Sequence, residues 1–125
     1  MSPGFRILIT GSRNWDDQAA IAHAIGEVWP PHCSADEITL VHGGATGADH
    51  HASGVALAFG VACEEHPADW TRGHRAGPER NQAMVDAGAD VCLAFPLPGS
   101  RGTWDCVKRA NAAGIPVRII AAARS

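Results

Sequence analysis

The sequence predicts a doubly wound α/β domain: five strands in one open, mainly parallel sheet, with helices on both faces. Three observations predict it. Short apolar runs alternate along the whole chain with segments whose apolar residues recur at helical spacing. Glycine is abundant, 14 of 125 residues, against about 7% in an ordinary chain, and it collects at strand-to-helix junctions. A hydrophobic share of 46% with only 18% charged residues supplies one core for a single domain across residues 1–125.

Phe5 to Thr10 reads as the first strand, ending at Gly11. Asp16 or Asp17 caps a helix whose Ile21, Ile25, Val28 and Trp29 share one face, and Pro30-Pro31 stops it. Ile38 to Val41 is a short buried strand. A Gly-rich loop leads to a helix from Ala48 to Phe59 with Ala52, Val55, Ala56 and Phe59 inward, and Gly60 suits its left-handed C-terminal position. Val61 to Glu64 is a third strand. A polar connection from His66 to Ala76 reaches Gly77-Pro78, where proline fits the first turn of a helix running to Gly88. Asp90 to Phe95 is the fourth strand, Thr103 to Ala113 the fourth helix, closed by Gly114 and Pro116, and Val117 to Ile120 the last strand. Right-handed crossovers give the order 3-2-1-4-5. Ligands of such sheets bind at the carboxyl ends of the strands, beside the point where the order reverses.

Composition narrows the partners. The net charge is −3 and no basic stripe is present, so duplex nucleic acid is disfavoured; Arg72, His74, Arg75 and Arg80 form the one local basic cluster. Four cysteines lie far apart without a C-x-x-C pair, which speaks against a zinc ribbon or a disulfide framework; Cys63 and Cys92 sit in apolar runs and read as buried thiols. With no signal-like segment and no apolar run near the ~20 residues of a membrane span, the chain reads as a cytoplasmic protein with no membrane partner.

Four segments carry chemistry. In Gly11-Ser12-Arg13, glycine admits a close ligand, Ser12 offers a hydroxyl and Arg13 can grip an anion with two hydrogen bonds. In Gly43-Gly44-Ala45-Thr46-Gly47-Ala48-Asp49, glycines precede a helix, so N–H groups and the positive helix end converge where a phosphate or carboxylate can sit. Thr46 and Asp49 also have capping-box spacing, the purely structural alternative. The loop is neither a Walker loop, lacking Lys-Ser/Thr, nor a dinucleotide fingerprint, because its spacing differs. Pro98 to Thr103 repeats the pattern, with Gly99, Gly102 and Thr103 before a helix. Arg80 and Asn81 stand in a first helical turn, where a cation does not help the helix and suits an external anion or a tertiary carboxylate. Trp15, Trp70 and Trp104 lie near loops, where an indole can stack on a base or simply cover the core edge. His42, His50 and His51 lack metal-site spacing, since adjacent helical residues point about 100° apart, and no metal is expected.

The runs GSRNWDD, HGGATGADHHA, ADWTRGHRAGPERNQAM and AFP…GTW…A…GIPV, in that order from Ile7 to Ile119, resemble the YspA/YpsA-related SLOG family. That family belongs to the SMF/DprA–LOG superfamily of Rossmann-like domains. The resemblance implies a nucleotide or nucleotide-derived ligand, NAD-derived ones included. It carries family motif positions onto Gly11, Ser12, Arg13, Gly43, Gly44, Gly47, Asp49, Arg80, Asn81, Gly102 and Thr103; with the apolar, alanine-rich helices it implies a homodimer, and no cofactor is expected. LOG relatives cleave the N-glycosidic bond of nucleoside 5′-monophosphates with an arginine, matched here by Arg80, and a glutamate closing P-G-G-x-G-T-x-x-E. Cys106 stands at that glutamate's place, with Asp105 one residue early. A one-residue shift turns a helical side chain by about 100°, so cleavage requires Asp49 or Asp105 to substitute. The DprA branch binds single-stranded DNA, which the acidic balance here disfavours.

The expected function is capture of a small phosphorylated nucleotide. Arg13 and the Gly-rich helix starts hold phosphate, Asp49 accepts ribose hydroxyls, and Trp15 or Trp70 covers the base. A nucleotide N-glycosidase is the second expectation, and an adaptor with a vestigial crevice the third.

Overall fold

The computed structural model describes residues 4–44 and 46–122. Its elements follow the order β1 (Phe5–Gly11), α1 (Gln18–Val28), β2 (Ile38–His42), α2 (Ala48–Phe59), β3 (Ala62–Glu65), α3 (Ala76–Ala87), β4 (Val91–Phe95), α4 (Arg101–Ala112) and β5 (Val117–Ile119). The strands form one sheet in the order β3-β2-β1-β4-β5. Every neighbouring pair is parallel, with Leu8 opposite both Val41 and Cys92. This is the predicted doubly wound, Rossmann-like arrangement.

The alternation of side chains along each strand builds two cores. Ile7, Ile9, Leu40 and Leu93 face one side and pack under Ile21 and Ile25 of α1 and Ala52 and Val55 of α2. Leu8, Val41 and Cys92 face the other and meet Met84 and Val85 of α3 with Cys106 and Ala110 of α4. The three central strands are therefore apolar on both faces, as a covered parallel sheet requires.

Several boundaries differ from expectation for identifiable reasons. Asp17, not Asp16, caps α1 by accepting from the Ala20 N–H. The polar connection contains a 3-10 segment, Trp70–Arg75, capped by Asp69 and broken at Gly73. Helix α3 then starts at Ala76, so Pro78 is its third residue. Helix α4 starts at Arg101, two residues early, because Ser100 closes a turn with Leu97 and becomes the N-cap. Phe59 is not a core residue: it is 38% exposed, with its ring against Trp29. Cys63 is exposed, since β3 is an edge strand with little cover, whereas Cys92 is buried as expected.

Candidate functional site

Three loops leave the carboxyl ends of β1, β2 and β4 and meet over the switch point between β1 and β4. The first is fixed by its backbone. Ser12 N–H donates to the Phe95 carbonyl, and the Ser12 carbonyl accepts from Trp15 and from Ala48. Gly11 is required by packing: a Cβ there would lie 2.5 Å from the Ala48 Cβ and 2.9 Å from the Phe95 carbonyl oxygen. Gly47 is more constrained still. Its φ is +72°, and a Cβ would stand 2.3 Å from the Ser12 and Arg13 carbonyl oxygens. The loop after β2 is thus seated directly on the loop after β1.

The capping box, the structural alternative for Thr46 and Asp49, is not seen among the described residues. The N-cap of α2 is Gly47, which has no side chain to cap with, and Asp49 Oδ2 accepts instead from the Gly43 N–H at 3.2 Å. Asp49 is buried, folding the glycine loop back on its own helix while still forming part of a crevice wall. His42 holds the same loop: its Nδ1 accepts from Gly44 N–H at 3.0 Å, and its Nε2 pairs with the Ser53 hydroxyl. His51 pairs with Gln18 and stacks edge-on with His50. No cluster of His, Cys, Asp or Glu suited to a metal ion occurs among the described residues.

Arg80 reaches out of α3 to the glycine loop. Its Nη1 donates to the Gly43 carbonyl at 3.0 Å and its Nε to Asn81 Oδ1. A Cβ on Gly43 would sit 2.0 Å from that guanidinium, so Gly43 makes room for Arg80. Asn81 is 3% exposed; its amide donates to the Gly102 carbonyl and to Asp105 Oδ2 and ties α3 to the first turn of α4. Burial by itself would raise the Asp105 carboxyl, but the hydrogen bonds from Arg109 and Asn81 outweigh it and hold Asp105 below the usual range, so it is ionised at neutral pH.

The enclosed space is a crevice of about 660 Å³, within the range of small-molecule sites. Gly11, Ser12, Arg13, Asp49, Trp70, Arg80, Asn81, Asp105, Gly99, Gly102 and Thr103 all line it. Gly44 and Thr46 line a smaller hollow alongside, and Ala45 lies outside the described residues. Gly43 and Gly47 shape the loop beneath. Trp15 is not in the crevice: it is 2% exposed, edge-on to Phe95 at 5.3 Å, with its Nε1 donating to the Asp17 carbonyl. Trp70, by contrast, is 59% exposed and lines the crevice.

Sequence reasoning missed Arg101, Ser100 and Asn14, which also line the crevice. Arg101 had a legible signal, a cation between two glycines ahead of a helix. Cys106 is fully buried on the inner face of α4, so the side chain at the LOG glutamate's place points into the core, while Asp105 one residue earlier reaches the crevice.

Residues 5–73 match the family model described as the YspA, cpYpsA-related SLOG family. The chain belongs to that family. The gene 61 protein of Mycobacterium phage D29 is 48% identical to this SLOG-family chain over 118 residues, covering 90% of this chain and 93% of that protein. The DNA processing protein A (DprA) of Streptococcus pneumoniae shares the fold at a TM-score of 0.73 with 18% identity; 96% of this SLOG chain aligns, and it spans 51% of that one. At that identity the likeness speaks for the fold alone.

Proposed function

We propose that this SLOG domain captures a small phosphorylated nucleotide or a nucleotide-derived, NAD-type metabolite, for sensing or sequestration. One observation carries the reading: Arg13, Arg80 and Arg101 line a single crevice together with the first turn of α4 and the exposed indole of Trp70. Cations and helix N–H groups suit phosphate, and an indole suits a base. The two carboxylates of the wall, Asp49 and Asp105, accept ribose hydroxyls. Arg80 is oriented beforehand by Gly43 and Asn81, which lowers the ordering cost of gripping an anion.

Asp105 favours the second reading, a nucleotide N-glycosidase. It is an ionised carboxylate in the crevice wall, and such a group near C1′ stabilises an oxocarbenium-like state. Its two hydrogen bonds hold it toward Asn81 and Arg109, which supports binding over turnover.

The test starts from freshly purified, undialysed protein, denatured so that any released small molecule is identified by mass spectrometry. The folded protein is then incubated with that compound. An intact nucleotide that persists supports capture, and free base with ribose phosphate supports the hydrolase. Unchanged affinity in both Arg13→Ala and Arg80→Ala removes the crevice from consideration. A protein that releases nothing, and shows no thermal shift with any nucleotide, fits the adaptor role.

We further infer a cytoplasmic homodimer. Unpaired thiols suit a reducing compartment, and the apolar, alanine-rich helices, with Leu57 86% exposed on α2, support self-association. Light scattering of wild type against Leu57→Glu tests the dimer. No described helix is long and apolar enough to cross a membrane.

A further inference from the structure

Arg13 and Trp70 belong to two hollows at once. Both line the main crevice, and both line the neighbouring hollow of about 330 Å³ completed by Gly44 and Thr46. Between these spaces the Arg13 guanidinium carbon lies 5.5 Å from the centre of the Trp70 ring, so the pair stands as a partition. The two crevice arginines are held differently. Arg80 is fixed by Gly43 and Asn81, whereas among the described residues the Trp70 ring is the one partner of the exposed Arg13 guanidinium.

An exposed cation–π contact is weak, and a two-pronged, charge-assisted hydrogen bond from arginine to phosphate is considerably stronger. An anion in the main crevice therefore wins Arg13 from the indole. The face of Trp70 is then bare, beside the smaller hollow.

We propose that Arg13 and Trp70 form an exchangeable contact that makes base recognition conditional on phosphate: the phosphate draws the guanidinium off the indole, and the freed indole stacks the base in the smaller hollow. The inference rests on the nucleotide reading and narrows it. The ligand is a nucleoside phosphate whose phosphate and base lie on opposite sides of the Arg13–Trp70 boundary, and the bare nucleoside is discriminated against because Arg13 still covers the ring.

Calorimetric titration of the common nucleoside 5′-monophosphates, their nucleosides and ribose 5-phosphate tests this on wild type, Arg13→Ala, Trp70→Ala and Trp70→Phe. Both side chains are exposed, and circular dichroism verifies that each variant folds. Arg13→Ala is expected to weaken the preferred monophosphate about tenfold or more. The same substitution should tighten the matching nucleoside about twofold to fivefold, the strength of the contact it removes. Trp70→Ala should lower the monophosphate to the level of ribose 5-phosphate, with partial rescue by Trp70→Phe. A monophosphate that binds Trp70→Ala as it binds wild type overturns the exchange and leaves the nucleotide reading standing. So does a nucleoside that gains nothing from Arg13→Ala. Wild type that binds none of the monophosphates, nor ribose 5-phosphate, nor the nucleoside diphosphates, triphosphates and NAD titrated beside them, overturns both.

Discussion

The loops after β2 and β4 look alike in sequence, each a glycine-rich run between a strand and a helix, yet they do different work. In the β2–α2 loop the glycines are filled from inside the protein: Gly43 is met by Arg80, Gly44 by Glu65 and Gly47 by the backbone of Ser12 and Arg13. At the β4–α4 junction an added Cβ at Gly99 or Gly102 meets nothing within 4 Å, and both residues line the crevice. The first loop is a packed joint whose outer edge, at Gly44 and Thr46, still borders the smaller hollow, and the second leaves its glycines open to the main crevice. Glycine content alone says that a backbone approaches something closely. It does not say whether that something is protein or ligand.

The sharpest way to break the comparison is one alanine in each loop. Gly47→Ala sets a Cβ against two carbonyl oxygens at a positive φ, so a loss of about 3 kcal/mol or more is expected in urea unfolding. A loss under 1 kcal/mol would show that the loop moves aside, and that it is not a joint. Asn81→Ala is next. It strips the Gly102 carbonyl and Asp105 of a buried donor, with an expected cost of about 1–3 kcal/mol by the same measurement. Gly102→Ala has the opposite sign: within a helical first turn and free of clashes it should be neutral or stabilising by up to about 1 kcal/mol. Nucleotide affinity should nevertheless fall, because the methyl group occupies the crevice. Unchanged affinity would place the ligand elsewhere.

The smallest effect lies outside both loops. The Arg6 guanidinium, and after it His66, holds the Glu64 carboxyl down to about 2. A depressed carboxylate contributes stability above its unfolded pKa of about 4.3, and that contribution is lost as pH falls toward its folded value. The group is partly exposed and screened, so the loss should be below about 1 kcal/mol. Thermal melts between pH 5 and pH 2 should decline less steeply in Glu64→Gln than in wild type. Parallel declines would assign the acid sensitivity to other carboxylates.

Much of the fold was legible because its signals are local. Apolar runs such as FRILIT and DVCLAF bury both faces of a parallel strand, and helix caps and prolines punctuate what lies between. The sheet order followed from crossover handedness, a property of every L-peptide chain. The misreadings at Cys63, Phe59 and Trp15 share one cause. Hydrophobicity along the chain does not reveal which strand is an edge, nor on which side of a loop a ring finds cover. The Thr46–Asp49 spacing misled likewise, because Gly47 became the N-cap and Asp49 accepts from the Gly43 N–H across the loop.

The sequence by itself determined the doubly wound α/β class, the strand order, the loops that gather at the switch point and the resemblance to the SLOG family. Periodicity, capping and handedness act within a few residues or on every chain alike. Only the tertiary structure decided that Arg80 is anchored while Arg13 rests on Trp70, that Asp105 and not Cys106 reaches the crevice, and that one glycine loop is full while the other is open. Those outcomes depend on contacts between residues far apart in the chain. Burial and hydrogen-bond partners there are set by packing, which no local pattern encodes.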